Sequence, residues 1–101
     1  MGENRRTSPR HPVELVAAIH GSGGSTTARM VNLSVGGAFI AVERKLGDRI
    51  QLSFQVPTLP APISTEAVVR WVEKGGTGVQ FDGLGALEVW GLFKYFEQIV
   101  A

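Results

Sequence analysis

Two places in this 101-residue chain gather side chains suited to binding an anion or a nucleobase. Arg5, Arg6 and Arg10 fall within six positions near the start, and Arg6 and Arg10 form Arg-x-x-x-Arg. Further on, Asn32, Ser34 and Gly37 form Asn-x-Ser-x-x-Gly within Asn32-Leu33-Ser34-Val35-Gly36-Gly37. A guanidinium fork donates two parallel hydrogen bonds to a phosphate or to O6 and N7 of guanine. Its flat face also stacks on a purine. Asparagine and serine both donate and accept hydrogen bonds, and neither brings a charge that repels a phosphodiester. Gly36 and Gly37 let a ligand approach the backbone closely. Taken singly, each motif has a plainer reading. Basic residues near a terminus suit a solvated tail or a generic anion contact, and Asn, Ser and Gly are ordinary turn formers.

The elements between and after these motifs bring them together. Residues 1–12 read as a flexible tail, with Pro9 and Pro12 favouring extended neighbours. Val13–His20 reads as a strand, Gly21–Ser25 as a hairpin loop and Thr26–Leu33 as the returning strand. The 21 residues between Arg10 and Asn32 are enough for that one hairpin, which returns the chain to the tail. Ala38–Val42 reads as a buried strand. Ile50, Leu52 and Phe54 alternate with Gln51, Ser53 and Gln55, a period of two. Pro57, Pro60 and Pro62 mark a loop. Ile63–Glu73 reads as a long strand, with Lys74-Gly75-Gly76 as a tight hairpin into Gly78–Phe81. From Leu84 the apolar residues recur at helical spacing, with Asp82 as a candidate cap. Six sequential strands with hairpin-length loops predict a mainly β fold: a six-stranded antiparallel β-barrel with a C-terminal α-helix. Gly91 in mid-helix costs about 1 kcal/mol against Ala, which suits close helix–barrel approach. Residues 13–101 then form one domain behind the tail.

The paired motifs resemble the ligand-binding signature of PilZ domains, bacterial receptors for cyclic di-GMP. The likeness extends through Ala38-Phe39-Ile40, Leu46-Gly47-Asp48, Val68-Val69-Arg70-Trp71-Val72 and Gly78-Val79-Gln80-Phe81, covering about residues 5–100. The resemblance implies that Arg6 and Arg10 contact guanine and phosphate. It implies that Asn32 and Ser34 hydrogen-bond the other guanine, and that Gly37 allows close packing. Arg5, before the first motif arginine, resembles the arrangement that favours a stacked pair of ligand molecules. Trp71 is a further candidate, as an aromatic wall for a base; a half-buried core aromatic is its plainer reading. Asn32 stands where many members carry aspartate. The implied function is a small stand-alone cytoplasmic receptor and adaptor that presents a changed surface to an unidentified protein partner. The ligand is cyclic di-GMP and no cofactor is implied. The alternative is a PilZ-like protein-interaction module that no longer uses nucleotide.

Other chemistries find little footing. The chain has no cysteine, which removes thiolate metal sites, disulfides and a cysteine nucleophile. His11 and His20 lack metal-ligand spacing, and no nucleophile elbow or Walker loop is present, so the expectation is no catalysis and no metal. Residues 13–101 carry seven Lys and Arg against eight Asp and Glu, so the body offers no basic groove for nucleic acid. No stretch reaches the roughly 18 apolar residues of a membrane span. Either a monomer or a homodimer is compatible with the apolar terminal helix.

Overall fold

The structure, a computed structural model, describes residues 9–100. Among the described residues six strands close into an antiparallel barrel and one helix follows. The strands are β1 (His11–Gly21), β2 (Gly24–Leu33), β3 (Gly37–Ile40), β4 (Arg49–Phe54), β5 (Ile63–Glu73) and β6 (Gly76–Phe81), and the helix is α1 (Ala86–Val100). Around the barrel the order is β1-β2-β3-β6-β5-β4, closed by pairing of β1 with β4. Closure leaves no sheet edge unpaired.

Alternation along each strand fills the barrel. Ala17 and Ile19 of β1 point inward, as do Ile50, Leu52 and Phe54 of β4 and Ala67 and Val69 of β5. Arg49, Gln51 and Glu66 stay outside. The first strand starts at His11, inside the stretch that the sequence reads as tail, because His11 and Pro12 pair with Leu33 and Asn32 across a bulge.

The helix buries Gly91, Leu92, Tyr95 and Phe96. A side chain at Gly91 would collide with Leu59 of the proline-rich loop, and Thr58 Oγ1 donates to the Gly91 carbonyl at 2.6 Å. The glycine therefore seats the helix on that loop. Phe96 stacks on His11 with ring centroids 4.2 Å apart, which ties α1 to the start of β1. Asp82 does not cap the helix, which begins four residues later. It accepts from Arg49 at 2.6 Å.

Candidate functional site

Three bulges interrupt the ladders, and two of them build the site. One lies between Met30 and Asn32, the other between Val69 and Trp71. An extra residue in one strand shifts everything after it to the opposite face. Strict alternation after Ala67 and Val69 would turn Trp71 into the barrel. With Arg70 as the extra residue, Trp71 instead pairs with Gly78 and lies outside. Likewise Asn32 pairs with Phe39, which pairs with Gly78. One row on the outer wall thus runs Asn32, Phe39, Gly78, Trp71 across β2, β3, β6 and β5.

Alternate glycines give this row its floor. A Cβ at Gly78 would enter the Trp71 ring, and one at Gly76 would enter the Phe39 ring. Both rings therefore lie flat over β6. Their centroids are 6.3 Å apart with planes 22° from parallel, an offset stack. Arg10 reaches this floor from just before β1. Its guanidinium carbon stands 4.6 Å from the centre of the Trp71 ring, and Nη1 donates to Asn32 Oδ1 at 2.7 Å. That bond commits the Asn32 oxygen as acceptor, so the amide NH2 is its donor toward a ligand.

Ser34 sits differently. It is buried, and its Oγ accepts from the backbone N–H of Gly36 and of Gly37, both at 3.1 Å. Its own N–H donates to the Gly37 carbonyl at 2.8 Å. The hydroxyl is spent on tying the β2–β3 turn. Gly37 is fixed by packing as well, since a Cβ there would run into the Val79 carbonyl oxygen. These two residues hold the turn that follows β2, whereas Arg10, Asn32 and Trp71 form a half-buried cluster on the outer wall. Arg5 and Arg6 lie outside the described residues. Arg70 Nε donates to Gln80 Oε1 at 2.6 Å beside the cluster.

Sequence reasoning passes over Phe39 and takes it as core. The signal that marks it is Gly76-x-Gly78: glycines two apart in a strand clear one face for neighbouring rings.

A cation, an amide and two half-buried, stacked rings on the outer wall of a closed barrel are suited to a flat, hydrogen-bonding, anionic ligand. The PilZ domain family matches over residues 4–91, and the chain belongs to that family. No curated protein sequence matches the chain. Among solved structures, the Bacillus subtilis inhibitor of motility MotI/DgrA superposes with a TM-score of 0.77 at 22% identity, over 92% of this chain and 50% of that one. The Borreliella burgdorferi PlzA protein, solved in complex with c-di-GMP, superposes with a TM-score of 0.72 at 20% identity, over 92% of this chain and 41% of that one. The chain thus spans half or less of these two proteins, and the likeness is one of fold.

Proposed function

We propose that this protein is a receptor for cyclic di-GMP that acts as a small regulatory adaptor. The observation that carries this reading is the outer-wall cluster in which Arg10 lies on Trp71 and is held by Asn32. Membership of the PilZ family and the fold shared with PlzA, whose structure holds this nucleotide, support it.

Each part of the cluster matches one part of the ligand. Guanine is flat and stacks on an aromatic face, worth about 1–3 kcal/mol per base. Trp71 and Phe39 supply such faces. A guanidinium forks onto guanine O6 and N7 or onto a phosphodiester, which is the role of Arg10 together with Arg5 and Arg6. The Asn32 amide donates to the second base. Ser34 and Gly37 act behind these groups by fixing the turn. Arg10 already occupies the face of Trp71, so it moves aside or is sandwiched when a base arrives. No reaction is proposed: the nucleotide is a ligand and leaves unchanged. The reading carries with it a bacterial, cytoplasmic protein whose output is contact with a protein partner.

Calorimetric titration with cyclic di-GMP, beside Arg10→Ala, tests this. The expected result is micromolar or tighter binding, weakened roughly ten- to a hundred-fold in the variant. Stoichiometry of two nucleotides per chain would assign Arg5 to a stacked pair. No heat and no rise in melting temperature from a folded protein would overturn the receptor reading and leave the nucleotide-independent interaction module.

A further inference from the structure

On β6 the inward residues are Thr77, Val79 and Phe81, so the outward series is Gly76, Gly78 and Gln80. The two glycines lie under the Phe39 and Trp71 rings. Gln80 is therefore the first side chain of β6 to rise from the wall where the aromatic floor ends. Its Oε1 accepts from Arg70 Nε at 2.6 Å. Arg70 is the extra residue of the β5 bulge and precedes Trp71 directly; bulges beside binding sites re-aim side chains in this way. Both Arg70 and Gln80 are exposed. Their bond holds the guanidinium at Nε and leaves the two Nη groups as an open fork. Among the described residues neither Nη is hydrogen-bonded, and no carboxylate pairs with Arg70. Other arginines are already committed. Arg44 donates to the carbonyls of Gly23 and Gly24, Arg49 to Glu66 and Asp82, and Arg10 lies on Trp71 and donates to Asn32.

We propose that Arg70 reads the Hoogsteen edge of the base stacked on this floor and selects guanine over adenine, with Gln80 as its positioning residue. The role rests on the receptor reading above. A base lying on Trp71 and Phe39 is parallel to their rings, so its edge faces the groups that rise beside them. A fork of two donors needs two acceptors side by side. Guanine offers O6 and N7, whereas adenine offers N7 next to an amino group, which sets donor against donor. Arg10 meets a base from the face of Trp71 and does not supply this edge contact. Gln80 fixes the guanidinium plane, and a fork organised beforehand loses less freedom per hydrogen bond formed. The same fork fits a phosphodiester, but that contact is blind to the base.

Calorimetric titrations of the wild type and Arg70→Ala with cyclic di-GMP and with its 7-deaza analogue, in which C–H replaces N7, form a thermodynamic cycle. Arg70→Ala is expected to bind cyclic di-GMP about ten- to a hundred-fold more weakly. It is also expected to lose much less than the wild type on going to the analogue, because one N7 contact is already gone. Gln80→Met, which keeps the bulk and removes the acceptor, is expected to shift both quantities the same way by a smaller factor. Melting temperatures without ligand confirm that each variant is folded. Losses that simply multiply would make Arg70 a phosphodiester contact, and an Arg70→Ala affinity equal to wild type would make it an ordinary surface residue. Either outcome overturns the proposal and leaves the receptor reading intact, whereas a wild type that does not bind cyclic di-GMP overturns both.

Discussion

The guanidinium of Arg10 rests 4.6 Å above the Trp71 ring while its Nη1 bonds Asn32, so a residue at the edge of β1 is clamped both to its neighbour β2 and to β5, a strand that β1 does not pair with. The cation–π contact alone is worth about 0.5–2 kcal/mol. A double-mutant cycle with Arg10→Ala and Trp71→Leu, followed by urea unfolding without ligand, is expected to return a coupling in that range. Additive effects would show that the contact carries no energy in solution.

Ser34 and Arg10 are expected to fail in different ways. Ser34→Ala strands two backbone N–H groups of a buried turn, which costs about 1–3 kcal/mol of stability. Nucleotide affinity then falls only as far as the turn loosens around Asn32. Melting temperature and titration on the same sample separate the two. Asn32→Ala is the mirror case, with a modest change in stability and a large loss of binding.

Gly78 carries the floor of the site. Gly78→Ala pushes a methyl into the Trp71 ring, and such overpacking costs about 1–3 kcal/mol. Trp71 emission, read in a Trp90→Phe background, is expected to shift as the ring lifts. An unchanged spectrum and melt would mean that the ring does not lie on β6.

The outer face of β4 and β5 supplies a pH signature. Arg49 donates to Glu66 and to Asp82 at 3.0 and 2.6 Å. The hydrogen bond from Arg49, then its charge, then a bond from Gln51 hold the Glu66 carboxyl below its ordinary value of 4.5. A lowered value in the folded state means that the stabilisation is present above 4.5 and is lost as pH falls through the lowered value. Wild type is therefore expected to melt slightly above Glu66→Gln at neutral pH, with the gap closing in acid. Because the pair is exposed, the gap also narrows with added salt. A constant gap would exclude the pairing as its source.

Much of this was legible in the residues. Alternation of Ile50, Leu52 and Phe54 gives β4, and the helical spacing from Leu84 gives α1. Gly91 announces the close seat of the helix. The pairing of an arginine motif with Asn-x-Ser-x-x-Gly points to the end of β2, where Arg10 donates to Asn32. What escaped has a common cause: local pattern does not contain register. Nothing around Val69-Arg70-Trp71 marks Arg70 as the extra residue, so period-two reading could not choose between Trp71 as an aromatic wall and Trp71 as a half-buried core aromatic. Phe39 is lost in the same way, since its outward aim follows from its pairing with Asn32 and Gly78. Ser34 has the right type for a ligand contact, and only its burial shows the hydroxyl turned inward to the Gly36 and Gly37 amides.

The bulge at Arg70 has a consequence for how this strand tolerates a change in length. Val69 pairs with Val79 and Trp71 with Gly78, so Arg70 is the extra residue of the ladder. Removing it would leave Val69 and the tryptophan as neighbours in unbroken alternation, one turned to the lumen and the other to the wall. Length at this point is therefore free to vary by one residue while the aromatic floor over Gly78 stays in place.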